Sequence, residues 1–191
     1  MTDPRLHPVA GAVLTGGASR RMGRNKALVE VDGQPMAVRV ARALDGAGCR
    51  PVVVIGGDLA ALATLGLSGR ADDYPGDGPL GAIITALRWS QGSVLVAACD
   101  LPWLDAIAVE AVAAHAQAES DGQVDAVVAR TDRLEPLLAW WALSALRPLE
   151  EAFEAGERAV HRALDRLRVS TVPVASSSLR NVNAPGDLDA V

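Results

Sequence analysis

The chain alternates short, uniformly apolar runs with longer segments of helical period. The apolar runs span residues 9–14, 51–55, 93–98, 124–129, 137–141 and 169–174. Runs with apolar residues at consecutive positions have no solvent face, which is typical of strands buried between two layers of helices. The pattern predicts an α/β fold, in which a mainly parallel, Rossmann-like sheet forms the middle of a three-layer sandwich. At 191 residues, we expect a single domain.

Four segments between these runs repeat apolar residues at the spacing of one helix face. They span residues 37–44, 80–87, 104–112 and 160–167. The predicted buried face of the second consists of Leu80, Ile83, Ile84 and Leu87, and that of the third of Leu104, Ile107, Ala108, Ala111 and Val112. Open parallel sheets bind ligands beyond the carboxyl ends of their strands. The loops that start at Thr15, Gly56, Cys99 and Arg130 are therefore where a functional site is expected.

Charge and cysteine content narrow the class of protein. The formal net charge is −5, without the basic balance of a nucleic-acid-binding protein, so we expect no nucleic-acid partner. No apolar run reaches the roughly 18 residues of a membrane span. Cys49 and Cys99 both lie beside predicted strands, which favours two reduced, buried thiols rather than a disulfide. These features predict a cytoplasmic protein without a membrane partner.

The loop after the first strand is the most informative segment for function. Residues 14–26 read Leu-Thr-Gly-Gly-Ala-Ser-Arg-Arg-Met-Gly-Arg-Asn-Lys. Glycines let a backbone approach a phosphate closely, but the spacing is neither Walker A nor GxGxxG. Lys26 is the one lysine among eighteen basic residues, which favours a position where a compact point charge is needed, as at a triphosphate. The alternative is a glycine-rich turn with solvated arginines.

This loop resembles the LAGGxSxRMGxDK signature of the molybdenum cofactor guanylyltransferases, within the nucleotide-diphospho-sugar transferase-like fold. Thr15 stands where the family has Ala, and Asn25 where it has Asp. The resemblance implies that the start of the loop binds a guanine nucleotide, and that the following basic residues face its phosphates and act in catalysis. The implied nucleotide-binding residues are Leu14, Thr15, Gly16, Gly17 and Lys26, and the implied catalytic cations are Arg20, Arg21 and Lys26.

Two acidic positions are candidate ligands for a metal or a nucleotide. Asp100, in Cys-Asp-Leu-Pro, could cap a helix or hold Mg²⁺ with substrate phosphates, and the residues alone leave these alternatives equal. The resemblance favours a metal ligand that also contacts the nucleotide and acts in catalysis. Asp72 precedes Tyr74-Pro75-Gly76-Asp77-Gly78-Pro79, similar to the family's acidic loop, and the spacing to Pro75 selects Asp72 over Asp73 as a nucleotide ligand.

The C-terminal third resembles the acceptor side of the same family. The segment 135–139, Glu-Pro-Leu-Leu-Ala, is similar to a strand on the pterin side of the pocket. Arg158 lies in Ala-Gly-Glu-Arg, where a helix is expected to open, and Asn181 and Asn183 lie in a segment similar to the family's NVNTP, with Ala184 in place of Thr. The resemblance implies that these three residues bind the acceptor; a turn that caps the final helix is the alternative for the asparagines.

The three histidines share no spacing that indicates a metal site or a catalytic dyad. They are His7, His115 and His161. We therefore expect structural roles for them.

The implied reaction transfers GMP from Mg²⁺-bound GTP to the terminal phosphate of molybdopterin. Residues 9–110 would form the nucleotide part and 124–191 the acceptor part of one domain in a monomer, which passes its product to molybdoenzyme-maturation proteins. The alternatives are a cytidylyltransferase for the same cofactor, a sugar-1-phosphate nucleotidylyltransferase, and a catalytically weak binding protein, the last motivated by Asn25 and Ala184.

Overall fold

A computed structural model describes residues 9–16, 26–119, 122–182 and 187. The strands are β1 (Ala10–Leu14), β2 (Glu30–Val31), β3 (Gln34–Pro35), β4 (Val52–Ile55), β5 (Gly69–Arg70), β6 (Val94–Ala98), β7 (Ala126–Arg130), β8 (Leu134–Trp141) and β9 (Val169–Pro173). The helices are α1 (Met36–Gly46), α2 (Leu59–Thr64), α3 (Pro79–Ser90), α4 (Ala106–Ala118), α5 (Leu146–Glu154) and α6 (Val160–Ala163). Among the described residues, no helix has the length and apolar character needed to cross a membrane.

Seven strands form the central sheet in the order β5-β4-β1-β6-β8-β7-β9, and β2 and β3 form a separate hairpin. Strand β8 runs antiparallel to both of its neighbours, and the other strand pairs of the large sheet are parallel. Helices α1 and α4 pack on one face, and α3, α5 and α6 pack on the other. The predicted three-layer α/β fold with a mainly parallel sheet is confirmed.

The two faces of the sheet are covered by separate apolar clusters built almost entirely from Ala, Val, Leu and Ile. On one face, Val40 and Leu44 of α1 pack with Val109 of α4. On the other, Ile83 of α3 packs with Phe153 of α5. Strands β1 and β6 lie between both clusters and are almost fully buried, which fixes the position of the loops that follow them.

Helix α4 corrects the predicted helix over residues 104–112. Asp105 caps this helix, because its side chain accepts a 2.8 Å hydrogen bond from the Ala108 backbone N–H, so the helix begins at Ala106. Ile107 then points outward and is 77% exposed, whereas Val109 is buried. The prediction that Ile107 belongs to the buried face was wrong.

The structure also contains elements that the sequence did not indicate. These are the β2–β3 hairpin, α2, β5 and α5. The predicted helix over 160–167 is α6 followed by a 3-10 turn, Leu164–Arg166. The two-residue strands and α2, with one buried residue, give little periodic signal. Helix α5 does carry one: Leu149, Ala152 and Phe153 form a buried face at helical spacing, and the sequence analysis missed it.

A bulge interrupts the pairing of β8 with β7 near the start of β8. Val128 pairs with Ala139, but the next residue of β7, Ala129, pairs with Glu135, so residues 136–138 of β8 have no partner on β7. Pro136 lies in this bulge and has no N–H to donate to a ladder. Bulges of this kind re-aim side chains beside functional sites.

Asp125 ties the last strands of the sheet together. Its Oδ1 accepts from Ser144 Oγ at 2.6 Å and from an Arg168 Nη at 2.8 Å, and its Oδ2 accepts from the backbone N and the Nε of Arg168, both at 3.0 Å. These donors, Arg168 above all, hold the pKa of Asp125 well below its usual range. The ionised carboxylate therefore stabilises the start of β7 and β9.

We expect Asp125→Asn to lower the free energy of unfolding by about 2 kcal/mol at pH 7, because charge-assisted hydrogen bonds to a nearly buried carboxylate are lost. Since the folded-state pKa is depressed, the contribution is fully present above the unfolded-state pKa of roughly 3.9 and declines as the pH falls below it. Urea unfolding at pH 7 and at lower pH measures both effects. Asp45→Asn, at a carboxylate 60% exposed and paired only with Arg50, is the matched control. An equal loss of unfolding free energy in Asp125→Asn and Asp45→Asn would contradict the stabilising role of the Asp125 carboxylate.

Cys49 and Cys99 are both buried and unpaired by any disulfide. Burial raises the pKa of the Cys49 thiol to about 11 and that of the Cys99 thiol to about 12. Both side chains are therefore protonated, unreactive core residues, which agrees with the prediction of buried thiols.

Candidate active site

The order of the strands creates a crevice between β1 and β6. From β1 the chain continues to β4 and β5 on one side of the sheet and then returns to β6 on the other side of β1. Ligands bind at such a switch point, beyond the carboxyl ends of the strands. The strand ends are held together by hydrogen bonds from Thr15 N to Ile55 O and from Cys99 N to Leu14 O, both 3.0 Å long.

Lys26 and Asp100 meet in this crevice. Lys26 opens a 3-10 turn, Lys26–Leu28, whose Ala27 is fully buried, and Asp100 follows β6. The Lys26 Nζ donates to Asp100 Oδ2 at 2.8 Å, and the side chains are only 16% and 23% exposed. The structure therefore brings together two residues that are 74 positions apart in the sequence.

Asp100 does not cap a helix, so the capping alternative is excluded. Asp105 is the cap of α4. Asp100 Oδ1 is buried and has no hydrogen-bond partner within the described part of the chain. A buried carboxylate oxygen with unused acceptor capacity fits a hard divalent cation that takes its remaining ligands from phosphates and water. The described residues contain no group of three or more His, Cys, Asp and Glu side chains that could hold a metal without such substrate ligands.

Asp72 lies beside the glycine turn that follows β1. Its Oδ1 accepts from Thr85 Oγ1 and from the backbone N of Tyr74, both at 3.0 Å. A Cβ atom placed on Gly16 would lie 3.4 Å from Asp72 Oδ2, and one placed on Gly56 would lie 3.3 Å from the Gly16 backbone. The turns after β1 and β4 and the acidic loop after β5 are therefore in direct contact.

Asp73, the neighbour that the spacing argument set aside, faces a different environment. Its carboxylate lies 3.7 Å from an Nη of Arg70 and 3.4 Å from an Nη of Arg88. Asp73 therefore neutralises surface arginines, whereas Asp72 adjoins the glycine turn.

Leu14 and Thr15 are buried at the end of β1. The Thr15 hydroxyl lies 2.8 Å from Gly56 O and 3.0 Å from Ile55 O, so it joins the turns after β1 and β4. Gly57 has φ = +73°, and a Cβ there would lie 2.9 Å from the Thr15 Oγ1. The hydroxyl at position 15 thus fills space inside the protein, and the backbone of this turn is the part that adjoins Asp72.

A cavity of about 340 Å³ extends from Asp100 toward the bulge of β8. Its walls are mainly apolar and include Leu134, Pro136 and Leu137 of β8. Asn181 also lines it, and the next residue, Val182, donates its backbone N–H to Asp100 O at 3.0 Å. The structure thus brings Asn181 next to Asp100, as the predicted acceptor site requires.

Glu135 and His161 belong to the cavity residues that were not predicted as site residues. Glu135 was noted only as part of a strand, and His161 was assigned a structural role, but both line the cavity. His161 lies on α6, and no repeated spacing links it to other polar residues. Only the packing of α6 beside β8 places its imidazole at the site.

Arg158 is not among the residues that line this cavity. Its guanidinium stacks over the Phe153 ring at 3.7 Å and donates to Phe153 O at 2.7 Å. Its Nε is 3.6 Å from Asp77 Oδ1. Arg158 therefore connects the acidic loop to the turn between α5 and α6, and its predicted contact with the acceptor stays a prediction.

Several predicted site residues lie outside the described residues. These are Gly17, Arg20, Arg21 and Asn183.

Comparison with protein families finds one model that covers most of the chain. The MobA-like NTP transferase domain matches residues 11–171. A probable molybdenum cofactor guanylyltransferase of Opitutus terrae is 34% identical over 95% of this chain and 93% of its own length. A molybdenum cofactor guanylyltransferase of Pseudomonas putida is 34% identical over 94% of this chain and 95% of its own length.

A solved structure agrees with these sequence matches. The crystal structure of molybdopterin-guanine dinucleotide biosynthesis protein A from Archaeoglobus fulgidus superposes with a TM-score of 0.76 and 31% sequence identity. The similarity covers 95% of each chain.

Proposed function

This chain belongs to the MobA-like NTP transferase family, and on that premise we propose that it transfers GMP from GTP to the terminal phosphate of molybdopterin, releasing pyrophosphate. Its fold is that of the nucleotide-diphospho-sugar transferases. The relatives named above are guanylyltransferases that match it over nearly their whole length. The proposal extends the activity named for those proteins to this chain.

One observation carries the proposal: the Lys26–Asp100 pair at the switch point. It places a cation and a carboxylate with one unused oxygen after β6, the strand that pairs with β1, and the turn after β1 in turn contacts Asp72. Such a pair can bind a metal-complexed triphosphate, whose phosphates attract the ammonium and whose metal takes the carboxylate.

In the proposed reaction, an oxygen of the acceptor phosphate forms a bond to the α-phosphorus of GTP, and the bond from that phosphorus to the β-phosphate bridging oxygen breaks. A phosphate monoester has its second pKa near roughly 6, so the nucleophile is largely dianionic at neutral pH and requires no strong general base. The barrier then lies in charge repulsion and alignment. Lys26 offsets charge on the phosphates, and Asp72 with the glycine turn orients the nucleotide.

We propose Mg²⁺ as the metal, with Asp100 as its ligand. When bound, it would neutralise phosphate charge and polarise the phosphoryl oxygens. The orphaned, buried Oδ1 of Asp100 supports this assignment, because a hard oxygen donor is the ligand that Mg²⁺ prefers.

The remaining assignments belong to the same proposal. Residues 9–110 would form the nucleotide part and 124–191 the acceptor part. Leu14, Thr15, Gly16 and Gly17 would line the nucleotide, Arg20 and Arg21 would face its phosphates, and Arg158, Asn181 and Asn183 would act on the acceptor side. Two buried, reduced thiols support a cytoplasmic setting for a monomeric enzyme.

Nucleotide selectivity tests the proposal. The purified protein is incubated with molybdopterin, Mg²⁺ and one of GTP, CTP, ATP or UTP, and pyrophosphate and the dinucleotide product are measured. We expect turnover with GTP and a loss of at least about tenfold with the other three, since a site built to hydrogen-bond guanine leaves its polar groups unpaired with another base. Chelation of the metal by EDTA is expected to stop turnover.

Other outcomes would contradict the proposal in different ways. Turnover with CTP would make the chain a cytidylyltransferase with the same fold and site. GTP binding without pyrophosphate release would make it a nucleotide-binding protein.

A further inference from the structure

Glu135 lies where the β7–β8 hairpin meets the cavity beside Asp100. It pairs with Ala129 of β7 and directly precedes the bulge at residues 136–138. Its side chain is only 17% exposed and lines the cavity. A carboxylate oxygen that lines a cavity and accepts no hydrogen bond from the protein can accept one from a bound ligand.

Only one of the two carboxylate oxygens of Glu135 is satisfied by the protein. Oε1 accepts from Thr131 Oγ1 at 3.1 Å and from Arg133 Nε at 2.9 Å. Oε2 accepts no hydrogen bond from the described ranges of the chain and is not among their buried, unpaired atoms, so it is accessible to a ligand. The hairpin therefore fixes the orientation of the carboxylate, balances its charge with Arg133, and leaves the second oxygen for a donor in the cavity.

The cavity has two chemically different ends. Asp100, next to Lys26, lies where the sheet ends at β6. Leu138 of β8 pairs with Ala97, near the end of β6. Glu135 lies three residues before Leu138 in β8, and at the rise of a strand the two residues are up to about 10 Å apart. Between them lie the apolar side chains of Pro136 and Leu137, which suit a flat ring.

An acceptor of the proposed reaction must place its phosphate near the Lys26 end, which directs its ring toward Glu135. The 2-amino-4-oxo edge of a pterin presents two neighbouring N–H donors, one from the exocyclic amine and one from the ring. A carboxylate is acceptor-only and matches such a pair of donors.

We propose that Glu135 is the residue that selects the acceptor, by accepting hydrogen bonds from the 2-amino-4-oxo edge of its pterin ring. The proposal rests on the proposed function, since it takes the acceptor to be a pterin phosphate. It assigns a binding role to the cavity side of β8 that is separate from the chemistry at Asp100.

The test compares two ring compounds that differ at one group. Pterin carries the 2-amino group, and lumazine has an oxygen in its place. Binding of each to the purified full chain is measured by fluorescence titration for the unchanged protein, Glu135→Gln and the control Glu151→Gln, whose carboxylate is 56% exposed on α5 and pairs with Arg147.

We expect the unchanged protein and Glu151→Gln to bind pterin about tenfold more tightly than lumazine, as a charge-assisted hydrogen bond predicts. Glu135→Gln is expected to reduce this preference to less than about threefold, because its amide offers a donor where the ring also has donors, while its affinity for GTP stays unchanged.

Two results would overturn the proposal: an unchanged protein that binds the two rings equally, or a Glu135→Gln variant that keeps the full preference. The titration requires no turnover, so it is independent of the activity assay. Absence of GMP transfer in the unchanged protein would instead overturn the proposed function.

Discussion

Asp100→Asn is expected to lower the rate of GMP transfer by about 10³-fold or more while the protein stays folded. Asparagine keeps the shape of the side chain and can still accept from the Lys26 Nζ, but it removes the charge that holds the metal. Loss of one preorganised electrostatic group at a reacting phosphate costs roughly 10² to 10³ in rate, and loss of a metal ligand adds to it. Pyrophosphate release at saturating GTP, with a thermal unfolding curve for each variant, measures the effect.

The chain offers a matched control for this variant. Asp105 also follows β6 closely, but it caps α4 and accepts from Ser178 Oγ at 2.7 Å. Asparagine is as good a helix cap as aspartate, so Asp105→Asn should keep nearly full activity. If Asp100→Asn retains activity within about threefold of the unchanged enzyme, Asp100 is not the metal ligand.

Lys26→Met is expected to lower kcat/KM for GTP by roughly 10²-fold to 10³-fold. Methionine preserves much of the apolar stem but removes the charge that offsets the phosphates. Lys26→Arg should recover only part of the activity, because a planar guanidinium cannot replace a compact ammonium that is paired at 2.8 Å in a partly buried position. Steady-state kinetics with GTP as the varied substrate measures both variants.

The double variant separates a shared role from two independent ones. If Lys26 and Asp100 act on the same phosphates, the double variant should lose less activity than the product of the fold-losses measured in Lys26→Met and Asp100→Asn. Fully multiplicative losses, or a Lys26→Met enzyme with unchanged kcat/KM, would contradict a joint role.

The strand pattern could be predicted from the sequence because the buried strands are uniformly apolar. All six predicted strands form, and the predicted helix positions Leu80, Ile83, Ile84 and Leu87 are fully buried in α3. The direction of β8 could not be predicted, because a buried strand has the same apolar pattern, as in residues 137–141, whether it runs parallel or antiparallel to its neighbours. The bulge was equally hidden, because it depends on how β8 pairs with β7.

The residues of the site likewise fall into those that the sequence could predict and those that it could not. Asp100 directly follows a predicted strand, so the predicted fold alone places it at the crevice, and Lys26 stands out as the one lysine. Asp72 follows β5, which the sequence did not indicate, and was identified from the similarity of its loop to the family's acidic loop. Glu135 and His161 were not identified as binding residues. Their position depends on a bulge and on helix packing, which are tertiary features without a sequence period.

The reversed direction of β8 has an evolutionary consequence. The parallel strands contribute their ends to the nucleotide side of the crevice, whereas β8 contributes its beginning, so the β7–β8 hairpin reaches the same edge from a separate part of the chain. Changes in the length or sequence of this hairpin leave the turns after β1, β4 and β6 untouched. Under the proposed function, the acceptor side of this protein can therefore change in small mutational steps while the residues that bind the nucleoside triphosphate stay the same.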